Sequence, residues 1–442
     1  MHQARDRDAL GRPLDPTTID IDPMPARVTG PVPWIGAGRS LLADPAGFLA
    51  DQRRVHGDTF VVDAFGYRLF CVFSPTAVEQ LYGIGEDVAS LGIGTFHLLR
   101  LKLPDELFFG RRLTPHSLFG AAESDRHLTH LDDAIDAELA GLGSAGDLEL
   151  FALSKRLAHR MGFASWFATA TTHSPVAELL MDRFDELDAA EAFVRPSQAF
   201  RTRRLRYRDE WAAIGAIEDI ALGLWDRGEV TDADLLSRSA AAFAEAEPDL
   251  TVEQTRREAA RDAMVIHLGS QTNLFAALGW TLVDLLGRPE LLDAVRGGDT
   301  ALLDRCASES IRMAQRSITL RYVLRPCEID GHALSPGTFI TTMLPVLNTS
   351  VAPTLDRFDP DHYVGRRLVV PLAAKELVST FGHGTHSCPA ARFSIAAIRQ
   401  AVTALIDRYE LSPTFDRIGP RTRQMGGVAR ADRPATVSYR SR

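Results

Sequence analysis

Thr380-Phe381-Gly382-His383-Gly384-Thr385-His386-Ser387-Cys388-Pro389-Ala390 puts one cysteine behind a loop with two glycines and two histidines, just before a helix. Ile398, Val402, Leu405 and Tyr409 then recur at helical spacing, which predicts a buried helix from Pro389 to about Tyr409. Proline suits a first helical turn, where its missing N–H would have gone unpaired anyway. Cys388 therefore sits where free backbone N–H groups and the positive end of a helix dipole favour a thiolate. Such a thiolate suits a metal, and a single sulfur leaves the metal to find its other ligands elsewhere. A haem iron meets that condition, with four porphyrin bonds and one axial cysteine.

Outside this stretch the composition is that of an ordinary globular protein. The chain has 442 residues, 45% hydrophobic and 24% charged. A formal net charge of −9 argues against a general nucleic-acid binder. Cys71, Cys306, Cys327 and Cys388 form no CxxC pair or disulfide framework, which fits a reducing cytoplasm. Residues 1–27 are polar, without a signal-peptide core, and no later run is long and apolar enough for a stable membrane anchor. We read 1–442 as one domain, with 1–27 a flexible N-terminal segment.

The pattern along the chain is mainly α with a small β portion. A short helix is predicted over Asp44 to His56, then a hairpin around Gly66 and a helix starting at Ser74-Pro75. Gly83 to Pro115 reads as a long loop with short helical pieces, of the kind that often covers a pocket. Helices are expected with little interruption from about Glu123 to Glu247. The arginine-rich run from Arg201 to Arg208 within them reads as a solvated face. Thr251 to Leu286 is the longest helical candidate, opened by a Thr251/Gln254 capping pattern and ended by Gly287 and Pro289. At 1.5 Å per residue it would span roughly 54 Å. Short strands are expected between Tyr322 and Ile340, a meander from Val351 to Lys375, and strands again from Gly426 to Tyr439.

The cysteine stretch, read as Phe381-x-x-Gly384-x-His386-x-Cys388-x-Ala390, resembles the haem-ligand loop of the cytochrome P450 family. Glu309-Ser310-Ile311-Arg312 resembles that family's ExxR motif, and the long helix with Gly269-x-x-Thr272 precedes it in the expected order. The resemblance implies the family's fold, with haem b (iron protoporphyrin IX) between the long central helix and the Cys388 loop. By position, it makes Cys388 the axial ligand, with Phe381 shielding the sulfur, Gly384 turning the loop tightly, and Ala390 completing the motif. His386 and Arg321 would contact the haem propionates. Arg111, Arg112 and His116 are candidates for a further haem contact. Glu309 and Arg312 would form a buried pair, joined by His362 where the family usually has a basic residue.

On the distal side the family usually has an acid followed by an alcohol. Here Gln271 stands for the acid and Thr272 keeps the alcohol, and glutamine cannot ionise. Ser270-Gln271-x-Asn273, with Ala276-Ala277 and Trp280, is similar to the prostacyclin-synthase and bile-acid-hydroxylase branch, which holds both an isomerase and hydroxylases. His267, Leu268, Ile318, Thr319 and Leu320 fall where the family places its substrate pocket, and a satisfied core histidine is the alternative for His267. Leu268 would narrow the space over the haem.

The function implied is a monooxygenase inserting one oxygen atom from O2 into an apolar small molecule, in a cytoplasmic monomer. Its electrons would come from a ferredoxin and an NAD(P)H-dependent ferredoxin reductase, with basic residues such as Arg392 on the docking face. Two alternatives stay open: a peroxide-using isomerase or peroxygenase, and a non-catalytic haem sensor or carrier.

Overall fold

The computed structural model describes residues 25–108, 119–189 and 195–442. Of the predicted flexible segment, 25–27 are described, and Arg27 opens strand β1 (Arg27–Val28). Strands β2 (Thr59–Ala64) and β3 (Tyr67–Val72) form the predicted hairpin. Its turn places Phe65 and Gly66 at φ 52° and 81°, the primed geometry that matches strand twist. With β4 (Ala89–Ser90), β6 (Ile318–Val323) and β9 (Phe339–Met343) they build a six-stranded sheet ordered β1-β2-β3-β9-β6-β4. Between β6 and β9, β7 (Cys327–Ile329) and β8 (His332–Leu334) pair separately. The sheet has its own core, in which Phe60, Phe70, Val72, Leu81, Ile340 and Leu347 are buried together.

The larger core is helical. The helix Val252–Leu286 runs through it, and both halves of the predicted capping box are made: Gln254 N donates to Thr251 Oγ1 at 3.2 Å, and Thr251 N to Gln254 Oε1 at 2.8 Å. Around it pack the helices Leu150–Trp166, Arg208–Asp226, Leu235–Ala246, Thr300–Ala314 and Ala391–Arg408. A helix enclosed on all sides is apolar nearly all round, as this one is from Leu274 to Leu286, whereas its first turns carry Glu253, Arg256, Arg257, Glu258 and Arg261. Its burial breaks in mid-helix, where Gly269 and Asn273 are exposed. The helix after Cys388 begins at Ala391, two residues later than predicted, and its C-terminal neighbour Tyr409 already belongs to a strand.

One part of the expected helical run from Glu123 to Glu247 is a strand. β5 (Ala145–Glu149) pairs with β11 (Thr436–Ser441), which also pairs with β10 (Tyr409–Pro413). Ala-Gly-Asp-Leu-Glu has neither alternation nor β-branched residues, so its pairing with a partner almost 300 residues on overrides local propensity. Glu149 secures the junction, accepting from Ala435 N at 2.9 Å and from Ala152 N at 2.7 Å at the start of the next helix. The arginines of the run 201–208 are exposed, as expected of a solvated face.

Candidate cofactor site

The Cys388 loop is shaped by backbone bonds. Cys388 N donates to Phe381 O at 2.5 Å, closing the loop on itself, and Ser387 N donates to Gly384 O at 3.2 Å. Gly382 and Gly384 lie at φ 82° and 60°, the left-handed region that glycine enters at no steric cost. Phe381 packs against the helical core. Burial pushes the Cys388 thiol up from its ordinary value, and the Ala390 N–H bonded to the sulfur pulls it down. A metal at that sulfur would take the place of its proton. His386 ends the turn Gly384–His386, and the propionate contact expected of its side chain lies outside the described structure. Arg111, Arg112 and His116 also lie outside the described residues.

Behind the loop is the Glu309–Arg312 pair, both side chains fully buried. Arg312 Nε and Nη2 donate to the two Glu309 oxygens at 2.7 and 2.6 Å. Glu309 Oε1 also accepts from Asp359 N at 3.0 Å and lies 2.9 Å from His362 Nδ1. Arg312 also donates to the carbonyls of Asn348, Leu355 (2.8 Å) and Arg357 (3.2 Å). The pair thus ties the helix Thr300–Ala314 to the meander. Asn348 completes the brace. Its amide donates to Arg312 O at 3.1 Å and Ser379 O at 2.9 Å and accepts from Ser379 N at 2.8 Å. Ser379 Oγ in turn accepts from Gly382 N at 2.8 Å. No local motif marks Asn348 in the sequence.

Tyr82 joins this loop to β6. Its ring meets His383 edge-on at 5.1 Å, and its hydroxyl lies 3.4 Å from Thr319 Oγ1. Arg321, two residues along the strand, shares that face. It is fully buried, with Nη1 on Ala89 O at 2.6 Å and Glu86 Oε1 at 3.2 Å. Nε and Nη2 have no hydrogen-bond partner. Buried donors are rarely left so, and these two await an anion. Strand alternation also separates the three expected pocket residues. Thr319 lies on the side of Tyr82, itself part of the sheet's core, and Ile318 and Leu320 lie on the other side of the strand.

These features fit a haem. Among the described residues no group of three or more His, Cys, Asp or Glu could hold a metal, so an iron at Cys388 must bring ligands with it. A porphyrin brings four nitrogens, and its propionates are the anions that a buried guanidinium with two open donors can accept.

The long helix departs from the sequence reading. Gly269 and Asn273 share its open face, and Val265 and Ile266 flank them half-buried. Gln271, at about 100° per residue, points roughly 200° away from Gly269. It is 6% exposed, with Nε2 2.6 Å from His159 Nε2 on the helix Leu150–Trp166. His267, expected near substrate, is turned inward too, its Nε2 3.0 Å from His159 Nδ1. Thr272 stands half-buried at the edge of the open face, and Leu268 half-buried against the core. The residue presented in the middle is Asn273. Its Oδ1 accepts from Val428 N at 2.9 Å, tying the helix to the loop Gly426–Val428.

Comparison with known proteins agrees with this geometry. The profile of the family "Cytochrome P450" matches residues 230–439. The chain is 26% identical over 238 residues to the putative cytochrome P450 135B1 of Mycobacterium tuberculosis, covering 46% of this chain and 49% of that protein. It thus spans about half the length of the first curated relatives it matches. It is 18% identical to human 24-hydroxycholesterol 7-alpha-hydroxylase across 95% of this chain and 94% of that one. The fold is that of retinoic acid bound cyanobacterial CYP120A1, with a TM-score of 0.73 at 16% identity over 95% and 99% of the two chains. A braced cysteine loop, the ExxR pair and this fold agree with the match of residues 230–439 to the cytochrome P450 family, whose cofactor is iron protoporphyrin IX.

Proposed function

We propose that the protein is a monooxygenase that inserts one oxygen atom of O2 into an apolar small molecule, using electrons from an external donor. Cys388 would hold the haem, and the haem would supply the oxidative chemistry with dioxygen. The observation that carries the reading is the single sulfur of Cys388, held by a loop braced through Asn348 to the buried Glu309–Arg312 pair. Arg321 would orient the cofactor through its two open donors. Val265 and Ile266 offer apolar surface beside Gly269, suited to an apolar substrate and to excluding water. Thr272 would supply the alcohol at the edge of that face.

A ferredoxin with its NAD(P)H-dependent reductase is the proposed donor. The docking face cannot rely on Arg392 alone, because Asp125 pairs with it at 2.7 Å. The protein is read as a cytoplasmic monomer. Its four cysteines are free, and among the described residues no helix is long and apolar enough to cross a membrane. Relatives carrying the names hydroxylase and monooxygenase agree with the reaction class.

One observation favours a second reading, a peroxide-using enzyme. The open face carries Val265, Ile266, Gly269 and Asn273, with Thr272 at its edge, and none of these side chains ionises. A reaction that consumes protons would then find no acid on this face to supply them. Incubation with NADPH, ferredoxin, reductase and labelled O2 separates the two. Label in the product is the expected result; unlabelled product with fast hydroperoxide consumption would replace the first reading by the second.

A further inference from the structure

Three polar side chains are buried where two core helices cross: Gln271 and His267 on the long helix and His159 on the helix Leu150–Trp166. They form one chain, Gln271 Nε2 to His159 Nε2 at 2.6 Å and His159 Nδ1 to His267 Nε2 at 3.0 Å. Both histidines are held neutral, burial lowering the pKa of each. Neutral imidazoles leave two arrangements. Either Gln271 donates to His159, which donates to His267, or an amide flip reverses every donor. Both end at His267 Nδ1, buried without a partner.

The surroundings allow these rings little freedom. His267 stacks on Phe163 at 4.6 Å and meets Phe184 at 4.3 Å. Gly162 makes room for it, since a Cβ there would stand 2.6 Å from both His267 Cε1 and Nδ1. The apolar surroundings are those of His267; His159 Nε2 also lies 3.8 Å from Asp185 Oδ1, and Lys155 and Arg156 act on the same ring. What the chain adds is direction. Gln271 can reach His159 only when the long helix is rotated as observed, and that rotation sends Gly269 and Asn273 to the opposite, open face.

We propose that His159 is a positioning residue for the distal side: through Gln271 and His267 it fixes the rotation of the long helix and so decides which residues face the cofactor. This rests on the haem reading above. His159 touches neither substrate nor cofactor in this role, and it moves no proton to them.

The test compares the parent with His159→Phe, Gln271→Leu and His159→Gln. Imidazole serves as a probe that enters the space over the iron, read by its spectral titration. His159→Phe and Gln271→Leu should shift the imidazole dissociation constant at least fivefold while keeping the reduced carbon-monoxide band. His159→Gln, which can still bond Gln271, should stay within twofold of the parent. A second readout needs no cofactor turnover. In 15N-histidine spectra of the parent at pH 6, two histidines should be neutral and hydrogen-bonded, and Gln271→Leu should change the tautomer signature of one of them. Folded variants with parental imidazole binding would overturn the proposal. So would titration of His159 or His267 near pH 6.5 in the parent, an outcome that stands even if the variants fail to fold. A parent without a thiolate-type carbon-monoxide band would sink the haem reading instead, which keeps the two failures apart.

Discussion

The two sides of the proposed cofactor space are built on opposite principles. The Cys388 side is held by charge: Glu309 and Arg312 are fully buried, and every oxygen of the acid is engaged. The long-helix side is held by neutral groups, the amide of Gln271 and two imidazoles whose protonation burial suppresses. A buried ion pair tolerates no loss of a partner, because the charge left behind stays desolvated. A neutral chain degrades more gently, and its arrangement sets orientation more than stability. Substitution should therefore be abrupt on the first side and graded on the second.

The sharpest break is Cys388→Ser. The reduced carbon-monoxide spectrum should lose its thiolate-type Soret band entirely, while the fold measured by circular dichroism persists; a retained band would refute the ligand assignment. Next is Glu309→Gln, which keeps the shape and removes the charge opposite Arg312. Denaturant unfolding should show a loss of about 3–5 kcal/mol. A loss under about 1 kcal/mol would mean that the charge contrast between the two sides is not real, since that is the scale of an exposed pair.

The same contrast explains what could be read from sequence. Cys388, Glu309, Arg312 and His362 are placed by their resemblance to family motifs, and the structure assembles the last three within hydrogen-bond reach. Long-helix roles depend on rotation, and a shift of one residue turns a side chain by about 100°. The resemblance implies that Gln271, standing for the family's acid, faces the cofactor; the structure turns it to His159. His159 gave no signal, being a lone histidine among Leu157, Ala158 and Met161 in an otherwise ordinary buried helix. Ile318 and Leu320 lie on one face of β6 and Thr319 on the other, an alternation that only their place on a strand reveals. β5 was invisible because its partner strand is almost 300 residues away.

A pH profile sharpens the neutral side. His267 has its pKa lowered from 6.5 to about 3 by burial. The unfolded chain takes up a proton there below pH 6.5 and the fold does not, so its contribution is full above that pH and is lost as pH falls toward 3. Between pH 6.5 and 4.5 the loss is on the order of 2–3 kcal/mol. Asp284 acts oppositely: burial raises it from 3.8 to about 6, so its contribution is full below pH 3.8 and is lost as pH rises through 6. In His267→Phe the first slope disappears and the second remains. Its stability relative to the parent should therefore improve by about 2–3 kcal/mol on acidification over that range, read by urea unfolding at each pH. Parallel profiles would show that His267 is not held neutral.

The smallest effect belongs to Asn273, where the neutral side meets the open face. Its Oδ1 accepts from Val428 N, and it occupies the place that a Cβ on Gly427 would need, 2.3 Å away. The loop has other ties, Gly426 N to Arg316 O at 2.8 Å and Gly427 N to Ser317 Oγ at 3.0 Å. Asn273→Ala should therefore cost only about 1 kcal/mol, one ordinary hydrogen bond, and leave the loop in place. Hydrogen exchange would show it as a roughly fivefold faster exchange confined to the Val428 amide. Exchange that spreads through the whole segment 424–430 would mean that Asn273 is the principal anchor of the loop. The neutral side would then be as brittle as the charged one, and the contrast between them would fail.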